Sequence, residues 1–457
     1  MEARKGRVYA YHSLEAFHVD ARIPRLYIAH ARMTHNETSP RVFRIRSLCV
    51  LVFVGFWLCF LTSVSNGRKT GRQTQSHSRS HEPTKTGIDL YESMNSEPLY
   101  GKRIGLITNQ TGVDSEGFRT SKLFARMRDV KLVALFSPEH GVNGTADDIV
   151  SNAADAASGV PVYSLYGETR RPTDAMLSGI DVLIFDIQDV GVRFYTYVTT
   201  MAYCMEAAAK HHIPFIVLDR PNPLGGEIIE GPMLDSDKLS FVGYFPMPVR
   251  YAMTLGELAK MFNAENKIGA DLQVVEMQNW RRSEMYWMTG LPWIEPSPNL
   301  PTLANLVPYP GIEILQAGGV SVGRGTDSAF LEIGAPWIKP EELLAGLKRR
   351  SITGVSFEAK TFTPKTGPYA GEKCEGIGLT VTERDKFRSM LMGLEIAEAL
   401  HKLYPQQFQI EKMITLLGSQ STVERLERGE APKAIVAGWD GDLAKFRAMR
   451  AKYLIYR

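Results

Sequence analysis

Beyond Gly87 the chain consists of short, wholly apolar runs separated by longer amphipathic ones, and this pattern limits its fold more than any other property. Arg103–Thr108, Lys131–Phe136, Val182–Asp186 and Phe215–Asp219 read as strands, while Thr120–Arg128 and Tyr195–His211 read as helices. The runs Val-Leu-Ile-Phe and Phe-Ile-Val-Leu are apolar on successive residues instead of alternate ones, as in strands covered by helices on both faces. Strand and helix alternating in this way specify an α/β fold, a Rossmann-like, doubly wound and mostly parallel sheet. Thr254-Leu-Gly-Glu257 has capping-box spacing and opens a further helix to about Asn266, followed by a strand over Leu272–Glu276.

The pattern changes after Asn279. Trp280, Tyr286, Trp287 and Trp293 lead into the proline-rich segment Pro296–Gly311, which reads as a rigid loop. Glycine-rich turns, a strand at Gly376–Val381 and a helix from about Phe387 to Leu403 follow. We therefore expect a Rossmann-like catalytic domain over 88–299 and a smaller C-terminal α+β domain over 300–457.

The N-terminal part is of another kind. Leu48–Leu61 is an apolar run preceded by Arg41, Arg44 and Arg46 and followed by Ser63-Val-Ser65, the layout of a signal peptide. At fewer than the roughly 20 residues that span a bilayer, the run favours cleavage near Ser65, with an uncleaved anchor as the alternative. Residues 1–32 add no pattern to it, and Met33 is the more natural start of such a leader, so 1–65 reads as signal peptide with an over-extended start. Residues 66–87 offer no large apolar side chain and read as a flexible tether. The formal charge of +3 misleads, because residues 1–65 carry nine Lys/Arg and four Asp/Glu, leaving 44 against 46. No nucleic-acid partner is implied. Cys204 and Cys374 are the cysteines beyond the leader, and an exported chain could pair them.

In a doubly wound sheet, ligands sit beyond the carboxyl ends of the strands. Here those ends carry Asn109-Gln-Thr-Gly112, Ser137-Pro-Glu139-His140-Gly141, Asp186-Ile-Gln188-Asp189-Val-Gly191 and Asp219-Arg-Pro-Asn222. Amides and carboxylates converging on one rim suit a hydroxyl-rich ligand. Turn chemistry accounts for Asn222 and Asp114 but poorly for Glu139, since glutamate is not a turn former. A carboxylic acid just past a buried strand is placed to protonate a glycosidic oxygen, with Asp186 and Asp189 as candidates for a second carboxylate and His140 as an orienting neighbour. Arg193, with Tyr195 beside it, stands at the start of a helix as an anion contact or as the ion-pair partner of Asp186 or Asp189. Arg324, in the turn Gly323–Thr326, is a second anion contact or part of the turn alone. Trp287 and Trp293 are candidates to stack on a pyranose.

Competing signals are weak. Gly319-Val-Ser321-Val-Gly323 matches a nucleophile elbow, but the following Arg-Gly-Thr-Asp does not open a helix. No phosphate-loop or dinucleotide fingerprint occurs, and His211-His212 has no partner at zinc-ligand spacing, so neither cofactor nor metal is expected.

Leu106–Gly112, Phe136–Gly141, Phe185–Tyr197, Leu218–Pro223, Pro296–Asn299 and Gly323–Thr326, together with the closing Phe446–Tyr456, resemble the exo-β-N-acetylmuramidase family, long catalogued as a domain of unknown function. The resemblance spans Gly87 to Tyr456. It implies a Rossmann-like domain joined to a smaller C-terminal domain, a cleft between them, and cofactor-free release of terminal N-acetylmuramic acid from peptidoglycan fragments, while the signal-peptide layout implies an exported, periplasmic or extracellular protein. The family's favoured catalytic glutamate falls on Glu139; the rim residues Asn109, Gln110, Gln188 and Asp219, with Asn299, are the candidate sugar contacts. The chain departs from the pattern at Gln316-Ala-Gly318, where relatives carry Glu-Gly-Thr. A cell-wall sugar receptor without catalysis and a serine esterase acting through Ser321 are the rival readings.

Overall fold

The computed structural model describes residues 82–93, 99–145, 152–155 and 159–457. The leader expected over 1–65 and the tether up to residue 81 lie outside them. Residues 84–87, read as the end of that tether, are packed: Thr84 and Thr86 are buried, and Lys85 pairs with Gln278 through backbone hydrogen bonds.

The elements run α1 (Gly87–Ser93), β1 (Arg103–Thr108), α2 (Thr120–Arg126), β2 (Lys131–Ser137), β3 (Ala153–Ala154), β4 (Pro161–Ser164), α3 (Asp174–Leu177), β5 (Val182–Asp186), α4 (Tyr197–Lys210), β6 (Phe215–Leu218), β7 (Glu230–Met233), β8 (Pro248–Arg250), α5 (Leu255–Glu265) and β9 (Leu272–Val275). There follow α6 (Leu303–Leu306), α7 (Tyr309–Gln316), β10 (Glu332–Ala335), α8 (Pro340–Lys348), β11 (Val355–Phe362), β12 (Cys374–Val381), α9 (Ser389–Leu403), α10 (Ile414–Leu417), α11 (Gln420–Glu427), α12 (Pro432–Ala437) and α13 (Asp440–Arg450).

The main sheet has the order β3-β4-β2-β1-β5-β6-β9, parallel throughout except for the short β3 at its edge. Its strands are apolar on successive residues because both faces are covered. Val182 and Ile184 join one core with Ile88, Leu106 and Phe124, whereas Leu183 and Phe185 join the other with Met201, Phe215 and Leu258. Each side chain buried in this way contributes about 1.5–3 kcal/mol. The strand order reverses about β1, so its crevice opens where β2, β1 and β5 end. The capping box forms as read: Thr254 accepts from the Glu257 amide, and the Glu257 carboxylate accepts from the Thr254 amide.

The smaller sheet is antiparallel, β10-β12-β11, and it shares one continuous apolar core with the main sheet's α4 face. Two sequence expectations change here. Pro296–Gly311 is not loop throughout, because α6 begins at Leu303 and α7 at Tyr309, with Pro310 in the first turn where its missing amide costs nothing. The strand β11 escapes a search for apolar runs since it is only half-buried on alternate residues. Cys204 and Cys374 are both buried free thiols, not a disulfide.

Candidate functional site

A cavity of about 620 Å3 opens beyond the ends of β2 and β5. Glu139 and His140 line it from the turn after β2. Phe194, Tyr195 and Thr196 line it from the segment entering α4, and Tyr309, Glu313 and Gln316 from α7. Arg324, Phe330, Tyr166, Arg170, Ser240 and Phe241 also line it.

Glu139 reaches the cavity because the backbone reverses sharply behind it. His140 and Gly141 both adopt the left-handed conformation, with φ of 70° and 74°. For a histidine that conformation costs about 1–2 kcal/mol, which fits a turn held for what it presents. His140 itself is buried in the cavity wall. Glu139 is half-buried, and its Oε2 accepts a 2.6 Å hydrogen bond from the Thr196 hydroxyl. The adjoining Tyr197 receives a hydrogen bond from Asn109 Nδ2 at 2.9 Å and donates to the Pro296 carbonyl at 2.8 Å.

The expected second carboxylates do not line this cavity. Asp186 is fully buried beneath the rim, where both oxygens accept from Arg220 at 2.6 and 2.9 Å and Oδ2 also accepts from Thr120. Asp189 is buried too, with Oδ2 accepting from the Gly191 amide at 2.7 Å and from the Tyr251 hydroxyl. Burial pushes its pKa up to about 6, with these hydrogen bonds opposing the rise. The carboxylate that does share the cavity with Glu139 is Glu313, which sequence reading missed. It lies in a helix of apolar neighbours, Ile312, Ile314 and Leu315, and a lone glutamate in such a run was the available signal. Burial raises its pKa, the Arg324 guanidinium lowers it, and Glu139 adds a smaller upward push.

Arg193 is neither an anion contact nor the partner of Asp186 or Asp189. It is almost wholly buried, and Nη1 donates to the Pro232 and Met247 carbonyls at 3.1 and 2.8 Å. Nη2 donates to the Leu416 and Leu417 carbonyls, both at 2.7 Å. It therefore ties the segment before α4 to the β7–β8 hairpin and to the end of α10. Burial draws its pKa down to about 9.

Arg324 does face the cavity. Its Nη2 donates to Glu313 Oε1 at 2.6 Å and its Nε to Gln316 Oε1 at 2.9 Å. Gln316 is thus not a lost acid at this point, because Glu313, one helical turn earlier, supplies the negative charge to the same guanidinium. Asn299 supports the turn from behind by accepting from the Gly325 amide at 3.0 Å.

Other predicted contacts are structural. Gln110 donates to the Glu295 carbonyl at 2.7 Å, and Gln188 donates to the Asp189 and Pro221 carbonyls, each at 2.8 Å. Asp219 is buried at the start of α5 and accepts from Thr254 at 2.7 Å, the Gly256 amide at 2.8 Å and Tyr456 at 2.6 Å. Tyr195 is a true wall residue, edge-on to Tyr197 and Tyr309. Trp287 and Trp293 stand outside the cavity, whose aromatic lining is instead Tyr166, Phe194, Tyr195, Phe241, Tyr309 and Phe330.

The elbow around Ser321 is absent as a catalytic device. Ser321 is buried, pairs with Gly334 through its backbone, and is followed by turns instead of a helix. Among the described residues no three His, Cys, Asp or Glu side chains gather as a metal site.

Comparison with known proteins places this geometry. Residues 104–304 match the model described as the N-terminal part of the exo-beta-N-acetylmuramidase NamZ, and 307–456 match its C-terminal part. The chain is 46% identical over 376 residues to the peptidoglycan beta-N-acetylmuramidase NamZ of Bacillus subtilis, covering 81% of this chain and 91% of that one. Crystal structures of two DUF1343 family proteins of Bacteroides fragilis superpose with TM-scores of 0.76 and 0.66. They are 37% and 31% identical, and each comparison covers 82% of this chain and 99% of the other.

Proposed function

The chain belongs to the exo-β-N-acetylmuramidase family, and from that premise we propose that Glu139 is the general acid of the reaction. The protein is a glycosidase that releases terminal N-acetylmuramic acid from peptidoglycan fragments. One observation carries the assignment of Glu139: it is a carboxyl group on the wall of a sugar-sized cavity, and among the described residues only its Oε2 is bonded. Thr196 donates to Oε2, so a neutral Glu139 carries its proton on Oε1. That proton passes to the glycosidic oxygen as the bond to the anomeric carbon breaks, the hydroxyl of a water molecule ends on that carbon and its remaining proton restores the acid, and the Thr196 hydrogen bond is kept throughout.

Asp186 and Asp189 do not fit a direct part in this step, because their bonds are made beneath the rim. Among the described residues Glu313 is the cavity's second carboxylate, and Arg324 balances its charge. Asn109 acts through Tyr197, holding the wall against which Glu139 turns. Tyr195 and Tyr309 offer apolar faces to the sugar. A peptidoglycan substrate calls for export, and the leader ending near Ser65 is the segment we assign to it, with a retained anchor as the alternative form.

Glu139→Gln keeps the Thr196 hydrogen bond in reach and removes the proton donor. Hydrolysis of a chromogenic N-acetylmuramide should fall by about 10²–10⁴-fold at an unchanged melting temperature. Turnover at the wild-type rate would remove Glu139 from the mechanism.

A further inference from the structure

We propose that Arg170 is the residue by which the cavity reads the carboxylate of its sugar, and so tells N-acetylmuramic acid from N-acetylglucosamine. The inference rests on the cavity's being the N-acetylmuramic acid site.

N-acetylmuramic acid differs from N-acetylglucosamine by a lactyl ether that ends in a carboxylate. A ligand with that charge enters a cavity already lined by two carboxylates, Glu139 and Glu313. Arg324 does not offset the entering charge, because Glu313 Oε1 already pairs with it at 2.6 Å and Gln316 holds its Nε. Of the other arginines in the rim motifs, Arg193 is buried among backbone carbonyls and Arg220 is buried against Asp186. The remaining arginine on the wall is Arg170.

Its setting suits that role. The guanidinium lies over the Phe241 ring at 4.3 Å from its centroid and 5.9 Å from that of Tyr166, and all three residues line the cavity. Among the described residues no carboxylate comes within ion-pair reach of it. Stacking on a ring fixes the plane of a guanidinium without using its N–H donors, which stay available for a bidentate carboxylate. The adjacent Arg171 shows the contrasting arrangement, since it stacks on Tyr203 but spends its charge on Glu206. Arg170 and Arg324 both line the cavity, yet the two differ in kind. The Arg324 guanidinium is paired with Glu313, whereas that of Arg170 rests on an aromatic shelf with no ion pair among the described residues.

The test uses the full chain and two substrates, a chromogenic N-acetylmuramide and the same compound with its lactyl carboxyl capped as a methylamide. Wild type should prefer the acid. Arg170→Gln should raise KM for the acid about tenfold to a hundredfold, the span expected for a charge-assisted hydrogen bond, while kcat and the capped substrate change less than threefold. Arg170→Lys, which keeps the charge but not the planar fork, should retain part of the preference.

The proposal is overturned if wild type shows no preference for the acid. It also falls if Arg170→Gln keeps the full preference, or loses both substrates equally, as a merely structural stack would. Calorimetry on Glu139→Gln separates this from the catalytic assignment. That variant should still bind N-acetylmuramic acid more tightly than N-acetylglucosamine, and adding Arg170→Gln should erase the difference, whatever becomes of turnover. A difference that survives the second substitution overturns the role of Arg170 alone.

Discussion

Replacing Arg193 with methionine separates a structural clamp from a ligand contact, since the two roles predict opposite results. Methionine keeps most of the stem's packing but removes the donors from four carbonyls, those of Pro232, Met247, Leu416 and Leu417. Leaving a buried acceptor without a donor costs about 1–3 kcal/mol, so the four together cost at least roughly 4 kcal/mol. Relief from burying a guanidinium, the cause that draws its pKa down to about 9, returns part of this. Groups removed from buried charged networks commonly cost about 3–5 kcal/mol, and we expect a net loss of about 3 kcal/mol here. Urea unfolding followed by circular dichroism should show it as a lower midpoint with an unchanged slope. Product affinity, measured below the transition, should fall less than tenfold, because Phe194, Tyr195 and Thr196 still line the cavity. A stability loss under about 1 kcal/mol with product binding abolished would mean that Arg193 contacts the ligand after all.

Two further outcomes follow from the buried acids. Asp189 has its carboxyl pKa raised to about 6 by burial, so its stabilising effect is complete below the unfolded value of 3.8 and is lost as pH rises through about 6. Asp189→Asn lacks that dependence, and between pH 4 and 7 it should gain on wild type by about 2 kcal/mol in urea titrations; a difference flat with pH would show that folding leaves the carboxyl pKa unshifted. Tyr456→Phe removes the 2.6 Å hydrogen bond to Asp219 and the 3.0 Å acceptance from the Met277 amide. It should cost about 1–3 kcal/mol and loosen the C-terminal segment first, seen as faster amide exchange at Ile455.

The sequence by itself determined what depends on neighbours along the chain. The strands β1 and β5 fall on the residues read from their apolar runs, and the capping box at Thr254 forms as spaced. Glu139 could be singled out because a glutamate directly after a buried strand has no local structural use. Even the turn carrying Arg324 was visible, since Gly323 and Gly325 can take the left-handed conformation that a tight turn needs. Tertiary structure alone decided which polar side chains reach the cavity. Asp186, Asp189, Asp219 and Arg193 share the rim motifs with Glu139, yet all are buried in bonds to groups far away in sequence, including Arg220, Tyr251, Tyr456 and the Leu416 and Leu417 carbonyls. Conversely, Thr196, Glu313 and Arg170 come to one cavity from three separate segments. A motif records which residue types stand together in the chain, whereas burial and hydrogen bonding depend on what the rest of the fold brings against them, and that partner is set by packing.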